Sequence, residues 1–425
     1  MTQSRSTQAS RRRMLARTAQ SVSAVVFSSA MNGSFAFQKE ESAPGKKGKI
    51  YPDERKKNKD PKSGATVWQL TDTPGKWTEV LYFTNRTATR DSRFVIYVSN
   101  RGSSHGLPTR LSGEDGGLDG IDLFKLDLRS GESVQLTEGG NVLKDSPEIS
   151  YDGTEVYYIS KGNVIRSVNL ENLKEREIVK CDPQVHMGHA LSVSRDGKTL
   201  AGHQILEPKK HLGYRWAPWA SRDRLLAVNL ADGEIRTIVD GNSPLGHLAI
   251  CPSDPNLLLY SFHSNIWQSQ RAWLMQMDGT GARPIFPQRL GEGCGHEIWG
   301  ASGKTVYMVC YGGRQPQGLW VSDLRGNEHC VLAGGTVGHC TANAEEDRFA
   351  MDERYTDGSC IWLARKGSVE PKLLCQMPVS WFSPGPNGAI GPQWVHPNIR
   401  FLPDGTGITY ASGDHSGTNV YLVQV

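Results

Sequence analysis

The 425-residue sequence has no uninterrupted apolar run long enough to span a bilayer. A helical crossing takes about 20 apolar residues in a row, so we expect no membrane-embedded segment beyond the N-terminal signal described below. The eight cysteines also include no C-x-x-C pair, the spacing that many structural zinc sites use. Buried thiols are therefore the default expectation. One or two disulfides remain open, because spacing alone does not fix a pairing.

An excess of one charge is also missing from the body of the protein. The formal net charge is +4, but residues 1–36 contain five arginines and no acidic residue. Without these five, 43 basic residues stand against 44 acidic ones, a net charge of −1. A body with this balance gives no electrostatic reason to expect nucleic acid as a partner. A local basic patch for an acidic ligand is still compatible with it.

The first 36 residues have the features of an export signal. Residues 10–15 read SRRRML, which is close to the twin-arginine pattern, and a mildly apolar stretch follows. Ser34-Phe35-Ala36 then supplies small residues for cleavage. We predict a twin-arginine-type signal over 1–36 and a periplasmic or otherwise exported protein. A disordered basic tail is the alternative.

Two further regions follow the signal. Residues 37–62 are rich in Lys, Glu, Pro and Gly, a composition typical of a solvated linker. From Val67 onward, short strand-like runs and polar turns dominate, and no long stretch of helical period occurs. We therefore predict a linker over 37–62 and one folded, all-β domain over 63–425.

Seven inner hairpins, each with two apolar runs around a polar turn, recur along this domain. Their turns are about 44 to 61 residues apart, a period typical of four-stranded propeller blades. The predicted inner hairpins are 84–99, 146–160, 189–205, 247–262, 296–311, 339–352 and 396–412. This pattern predicts a seven-bladed β-propeller.

The two ends of the domain support a closed ring. After the last inner hairpin only one strand-like run remains, Asn419–Val425, so the last blade lacks its outermost strand. A surplus run at the start, Thr66–Leu70, can complete that blade. Pairing of the N-terminal and C-terminal strands in one blade would close the ring without an exposed edge.

A histidine, usually after glycine, opens five consecutive inner hairpins. These residues are His189, His247, His296, His339 and His396. Because the first strand of each propeller blade lines the central channel, we expect the five side chains to converge at one mouth. A single histidine near a strand end is usually structural, but five at one phase favour a shared site. Neutral imidazoles combined with carboxylate or amide oxygens suit first-row divalent metals.

The last blade offers further ligands beside its histidine. Its segment reads Gln393-Trp394-Val395-His396-Pro397-Asn398. His396 and Asn398 are two residues apart, which places them on one face of an extended strand. Gln393 is close enough in sequence to reach back from the preceding loop. Polar capping of a loop is the alternative interpretation of this segment.

These motifs resemble those of the oligogalacturonide lyases, a family of seven-bladed polysaccharide lyases. The resemblance covers about residues 64–425, in the same order and with similar spacing. The motifs are Leu-Gly-His247, Arg271-Ala-Trp273-Leu, His296-Glu297-Ile-Trp299, Gly-His339, Ser380-Trp381 and Gln393-x-x-His396-Pro397. The resemblance implies a metal-dependent enzyme that cleaves short, acidic galacturonide chains.

The resemblance also implies roles for individual residues. The manganese site of the family would comprise His339, Gln393 and His396, with a fourth ligand at position 398. The family has histidine there, whereas this chain has Asn398. An amide oxygen donates less strongly than imidazole, so metal affinity falls or a harder metal is preferred.

The catalytic roles that the resemblance implies fall on His296 as the Brønsted base and Arg271 as its assistant. In β-elimination the base removes the C5 proton beside the uronate carboxylate, while a divalent metal neutralises that carboxylate. Arg271 would hold the carboxylate or stabilise the developing negative charge. His189, His247 and Arg224 are predicted to face the substrate, with a structural role as the alternative for the two histidines.

Two other functions stay open at this point. Asn398 favours a non-catalytic periplasmic propeller that binds a glycan or a protein, since propellers are common binding scaffolds. Differences in the loops that would face the substrate favour a lyase for another uronate oligosaccharide. The sequence fixes neither the chain length of the substrate nor the oligomeric state.

Overall fold

The structure, a computed structural model, describes residues 46–104, 120–188, 190–206, 222–241, 244–262, 270–334, 337–353, 359–377, 396–414 and 416–425. The chain divides into two compact units, 1–41 and 42–425, and all described residues belong to the second. Within the described part of the chain, no helix has the length and apolar character needed to cross a membrane.

Seven antiparallel sheets of four or five strands form the seven blades of a β-propeller. Blade 1 contains β1 (Ile50–Tyr51), β4 (Thr78–Val80), β5 (Phe94–Ser99), β6 (Asp122–Asp127) and β7 (Ser133–Gln135). Blade 2 contains β8 (Glu148–Ile149), β9 (Glu155–Ser160), β10 (Val164–Asn169) and β11 (Glu175–Lys180). Blade 3 contains β12 (His186–Met187), β13 (Ser192–Val193), β14 (Thr199–Ile205), β15 (Asp223–Asn229) and β16 (Ile235–Gly241).

The remaining blades follow in chain order. Blade 4 contains β17 (Leu245–Ile250), β18 (Leu257–Phe262), β19 (Ala272–Gln276) and β20 (Arg283–Pro284). Blade 5 contains β21 (Gly293–Trp299), β22 (Thr305–Gly312), β23 (Gly318–Asp323) and β24 (Glu328–Ala333). Blade 6 contains β25 (Val337–Ala342), β26 (Arg348–Glu353), β27 (Cys360–Arg365) and β28 (Lys372–Gln376). Blade 7 contains β2 (Lys56–Lys59), β3 (Thr66–Gln69), β29 (Arg400–Phe401), β30 (Gly407–Asp414) and β31 (Gly417–Gln424).

The predicted ring closure is confirmed. In blade 7 the strand order is β2-β3-β31-β30-β29, and Val67 pairs with Val423 across the junction of the two chain ends. The outer strands β1 and β2 both come from residues 50–59. The folded domain therefore begins within the segment 37–62, which the composition predicts to be a linker.

Apolar packing between neighbouring blades makes up the core. The described residues form seven buried clusters, and each joins two adjacent blades around the ring. Strands in the middle of a blade are covered on both faces, so β5 and β9 are apolar at nearly every position. The outer strand β11 is mostly polar because solvent covers it. All eight cysteines lie within the described residues as thiols outside disulfides, and seven of them are buried.

Blade 1 departs from the predicted inner hairpin 84–99. Its innermost strand is β4, and the chain then runs through residues 81–87, here called the axial segment, before it reaches β5. Phe83 is fully buried in the apolar cluster that joins blades 5 and 6. Asn85 donates hydrogen bonds to the carbonyls of Pro147 in blade 2 (2.7 Å) and Leu191 in blade 3 (3.2 Å). The axial segment thus crosses the central channel and contacts blades on its far side.

A substitution in the axial segment tests how much this segment contributes to stability. Phe83→Ala removes a fully buried ring, and we expect it to lower the free energy of unfolding by about 3–5 kcal/mol. Chemical denaturation followed by tryptophan fluorescence measures this change. As a control, Val369→Ala at an exposed position should shift the value by less than about 0.5 kcal/mol. Equally small effects of both substitutions would show that Phe83 contributes little to the free energy of unfolding.

Candidate active site

The Gly-His motifs mark β-bulges in the innermost strands. The pairing register shifts at 246–249, 295–298 and 337–340, in three consecutive blades. A bulge re-aims the side chain that it carries. His247 and His296 accordingly have φ values of 45° and 55°, a left-handed conformation that is uncommon for non-glycine residues. The repeated Gly-His motif therefore marks a local change in the backbone that turns the histidine side chains towards the propeller axis.

Four of the five predicted histidines form a continuous arc. Ring centroids are 5.8 Å apart for His247 and His296, 4.7 Å for His296 and His339, and 5.4 Å for His339 and His396. Phe83 of the axial segment lies against this arc, with its centroid 5.2, 5.0 and 4.6 Å from the first three rings in that order. Histidines from blades 4 to 7 thus form one arc, and those from blades 4 to 6 pack against one buried aromatic ring.

A buried carboxylate links His247 to Arg271. Glu297 Oε2 lies 2.6 Å from His247 Nδ1, and Glu297 Oε1 accepts a hydrogen bond from Arg271 Nε. Glu297 is 0% exposed, His247 is 5% exposed and Arg271 is 2% exposed. Burial by itself would raise the pKa of Glu297, but the charges of Arg271 and His247 outweigh it and lower the pKa to about 2. Glu297 is therefore ionised at neutral pH.

The ionised carboxylate fixes the tautomer of His247. A carboxylate only accepts, so Nδ1 of His247 must carry the proton that bonds to Glu297. Burial lowers the pKa of His247 and outweighs the attraction of Glu297, which keeps the ring neutral near pH 7. Nε2 is then an acceptor, and it lies 3.0 Å from the hydroxyl oxygen of Tyr82 in the axial segment. Tyr82 consequently donates its hydroxyl proton to His247.

A second tyrosine–histidine pair lies in blade 5. Tyr311 Oη is hydrogen-bonded to Nδ1 of His296, and both side chains are partly exposed. A Cβ atom added at Gly295 would lie 3.2 Å from the Tyr311 ring and 3.5 Å from Arg271 Nε. The glycine of this Gly-His motif therefore lets Tyr311 and Arg271 approach the histidine strand.

His339 is held by a carboxylate of its own. Asp352 accepts the backbone N–H of His339 at 2.7 Å, and its other oxygen lies 3.0 Å from His339 Nδ1. Both residues are fully buried. When the Nδ1–H of a histidine donates a hydrogen bond to a carboxylate, Nε2 is left as the nitrogen with a lone pair. This is the arrangement usual for metal-binding histidines.

The geometry around Asn398 differs from the expected one. The segment 396–399 is not a strand, since β29 begins at Arg400, and Asn398 has φ 46°. The expectation that His396 and Asn398 share one face of an extended strand is therefore wrong. A left-handed residue breaks the alternation of side chains, and asparagine is among the few residues that tolerate this conformation.

The amide of Asn398 has partners in the first blade. Its Oδ1 accepts the backbone N–H of Phe83 at 3.3 Å, and its Nδ2 donates to Glu79. Glu79 also accepts the backbone N–H of His396. Glu79 thus ties down both ends of the segment that carries the last histidine.

Glu79 also has a cationic partner. Lys144 Nζ lies 3.2 Å from Glu79 and 2.8 Å from Asp145. Burial raises the pKa of Glu79 to about 7 in spite of the lysine. Burial lowers the pKa of Lys144, but the two carboxylates outweigh it and raise that pKa to about 12. Lys144 therefore stays charged at neutral pH, and the pKa of Glu79 lies close to that pH.

The described residues place Arg224 away from this cluster, and two further predicted residues lie outside them. Arg224 lies on β15, the strand next to the outermost one of blade 3, and pairs with Asp240 at 2.6 and 3.2 Å. His189 and Gln393 lie outside the described residues. The substrate-facing role of His189 and the ligand role of Gln393 therefore stay predictions.

Sequence reasoning gave no role to several residues of the site. Glu297 and Tyr82 belong to this group, as do Tyr311, Asp352 and Glu79. Glu297 had a visible signal, because it directly follows His296 in a motif that was already singled out. For Tyr82 and Glu79 no local pattern exists, since their partners His247 and Asn398 are 165 and 319 residues away along the chain.

A comparison with known protein families decides the relationship of this chain. The sequence profile described as "Oligogalacturonate lyase" matches residues 52–322, more than half of the chain. The chain belongs to the oligogalacturonate lyase family. The matched range includes His247, Arg271, His296 and Glu297, and it ends before His339 and His396.

Individual relatives of this lyase family agree with that assignment. An oligogalacturonide lyase from Pectobacterium atrosepticum is 28% identical over 202 residues, which is 44% of this chain and 50% of the relative. The chain thus spans about half the length of the curated relatives it matches. The structure of an oligogalacturonate lyase in complex with manganese covers 89% of this chain and 98% of its own, with a TM-score of 0.75 at 22% identity. An oligogalacturonate lyase from Vibrio parahaemolyticus covers 89% and 99%, with a TM-score of 0.76 at 21% identity. At these identities the structures establish the shared fold.

The described residues offer part of a metal site. No group of three His, Cys, Asp or Glu side chains among them could hold a metal ion. His339 and His396 nevertheless lie side by side, and Nε2 of His339 and Nδ1 of His396 are buried nitrogen atoms. Asp352 orients the first of these rings as a metal-bound histidine requires. Two imidazoles fit a first-row divalent metal that draws its other ligands from elsewhere.

The Glu297 ion pair leads to a prediction about acid stability. The pKa of Glu297 is lowered to about 2 from its ordinary value of 4.5. Its ionised form therefore stabilises the fold above about pH 4.5, and this contribution is lost as the pH falls towards 2. Glu297→Gln leaves Arg271 buried without a counter-charge, which should cost about 3–5 kcal/mol at pH 7. We expect the difference in Tm between wild type and variant to shrink between pH 4.5 and 2.

Thermal unfolding followed by circular dichroism measures this difference. Glu370→Gln, at an exposed position, is the matched control and should leave Tm nearly unchanged at every pH. A Tm difference for Glu297→Gln that stays constant down to pH 2 would show that the charge of Glu297 is not the stabilising feature.

Proposed function

We propose that this chain is a metal-dependent lyase that cleaves short oligogalacturonides by β-elimination. The observation that carries the proposal is the arc of four histidines, in which the expected base His296 lies between His247 and the two candidate metal ligands His339 and His396. Membership in the oligogalacturonate lyase family supports the choice of substrate. A uronate bound over this arc would meet a base and a metal site at the same time.

His339 and His396 would hold the divalent metal, together with Gln393. Manganese is the first choice, because a structure of the same fold was determined with it. When bound, the metal would neutralise the substrate carboxylate next to C5 and so make the C5 proton more acidic. Asn398 acts here through Glu79, because its amide oxygen and nitrogen already bond to Phe83 and Glu79.

His296 would remove the C5 proton. A neutral imidazole whose Nδ1–H donates to the hydroxyl oxygen of Tyr311 has a lone pair on Nε2, and this lone pair takes the proton. Tyr311 is then a positioning residue for the base. Partial exposure of both side chains leaves the site open to a ligand.

Arg271 would contribute positive charge close to the base. Its Nε is bound to Glu297, and its Nη2 lies 3.5 Å from Nδ1 of His247. Because Arg271 is 2% exposed, it stabilises negative charge on the substrate through the local field and not as a freely moving clamp. The two neighbours of Glu297 thus bring a cation and a histidine to the same place.

The activity is tested with the metal-loaded protein. Incubation of the manganese-loaded chain with digalacturonate and trigalacturonate should release an unsaturated product, seen as an increase in ultraviolet absorbance. His296→Ala should lower kcat by about 10²- to 10⁴-fold, the usual contribution of a general base. The control His329→Ala, an exposed histidine on β24, should leave kcat unchanged. No product with any divalent metal would refute the proposed lyase activity.

Metal binding is tested separately from turnover. Titration of the protein with Mn²⁺, followed by the electron paramagnetic resonance of the free ion, gives the dissociation constant. We expect His339→Ala to weaken binding at least tenfold, since it removes a direct ligand, and Asn398→Ala to weaken it only a few-fold. A loss for Asn398→Ala as large as that for His339→Ala would assign Asn398 as a ligand.

Two alternatives are outcomes of the same assays. A non-catalytic propeller that binds a glycan is favoured by the asparagine at 398, and it predicts ligand binding without product. A lyase for another uronate oligosaccharide predicts product from that sugar and none from galacturonides. We also propose export through the twin-arginine-type signal in residues 1–36, on the basis of their sequence alone.

A further inference from the structure

We propose that Tyr82 is a further catalytic residue, which gives its hydroxyl proton to the oxygen that leaves C4 of the substrate. The inference rests on the proposed lyase activity. β-Elimination needs one proton removed at C5 and one supplied to the leaving oxygen. The proposed base accounts for the first of these transfers and leaves the second without a donor.

The position of Tyr82 favours it as this donor. Tyr82 belongs to the axial segment, and its hydroxyl oxygen lies 3.0 Å from His247 Nε2. His247, Glu297 and Arg271 are buried, whereas Tyr82 is partly exposed. The hydrogen-bonded chain thus runs from a buried ion pair to a partly exposed tyrosine.

The ring of Phe83 also connects Tyr82 to the base. Its ring centroid is 4.7 Å from that of Phe83, which in turn is 5.0 Å from the ring of His296. The rings of His247 and His296, the partners of the two tyrosines, are 5.8 Å apart and nearly parallel at 23°. Two tyrosine–histidine pairs therefore lie side by side, one for each proton transfer.

A carboxylate lies behind the histidine of the first pair. Glu297 binds Nδ1 of His247 at 2.6 Å, whereas the Nδ1 atom of His296 faces a phenol. The carboxylate stabilises positive charge on His247 whenever that ring takes up a second proton. This arrangement suits a histidine that must return a proton to the phenolate of Tyr82. Glu297 is then the positioning residue for Tyr82 and His247.

The proposed step balances in protons and electrons. His296 takes the C5 proton, and the electron pair of the C5–H bond becomes the second bond between C4 and C5. The C4–O bond breaks with its electron pair on oxygen, and this oxygen takes the proton of Tyr82. Water then protonates His247 at Nε2 and becomes hydroxide, this proton passes to the phenolate of Tyr82, and His296 returns the C5 proton to the hydroxide.

A substrate whose leaving group needs no proton tests this assignment. Methyl 4-deoxy-4-fluorogalactosiduronate loses fluoride from C4, so a proton donor contributes little to its elimination. We expect Tyr82→Phe, which keeps the ring, to lower kcat/KM for digalacturonate by about 10²- to 10⁴-fold. The same variant should stay within a few-fold of wild type on the fluoro substrate.

Two controls keep the outcomes distinct. Tyr158→Phe removes a hydroxyl that bonds to Glu175 in blade 2 and should leave both activities unchanged. Unchanged thermal unfolding and Mn²⁺ affinity of Tyr82→Phe show that the variant is folded. Equal losses on both substrates, or no loss on digalacturonate, would overturn the role of Tyr82 while the lyase activity stands. A wild-type protein that turns over neither substrate would instead overturn the proposed function, and this inference with it.

Discussion

The buried carboxylate of Glu297 organises the candidate site, because two functional side chains depend on it at once. It accepts hydrogen bonds from Arg271 and His247, which come from two different places in blade 4, while Glu297 itself lies in the innermost strand of blade 5. Removing a carboxylate from water is costly unless it is paired, so the protein gains from this arrangement only when both partners are in place. The requirement fixes the orientation of the arginine and the tautomer of the histidine, and through the histidine it reaches Tyr82.

The axial segment is the second constraint on the site. The segment crosses the propeller channel and places Phe83 there, a buried ring that packs against three histidines. The same few residues bring Tyr82 to His247 and bond to Asn398 and Arg400 of blade 7. The axial segment of the first blade therefore contacts the blades that carry the catalytic and metal-binding candidates.

The fold could be predicted from the sequence because its repeats are visible as local patterns. Alternating apolar runs and polar turns predict hairpins, and their sevenfold recurrence with a surplus strand at the start predicts the closed ring that Val67 and Val423 form. The histidine arc followed from the same periodicity. What periodicity cannot show is a departure from it: the left-handed conformation at Asn398, the bulges that turn the histidines, and the path of residues 81–87 through the channel. Partners such as Glu79 and Asn398, 319 residues apart, become neighbours only once the ring has closed.

The central claim is that side chains from blades 4 to 7 form one metal-assisted site over the axial segment. Anomalous diffraction from crystals soaked in Mn²⁺ tests it most directly. The account predicts a single strong peak that contacts His339 and His396, with Asn398 still bonded to Glu79. A peak away from these two histidines, or no peak at saturating manganese, would contradict it.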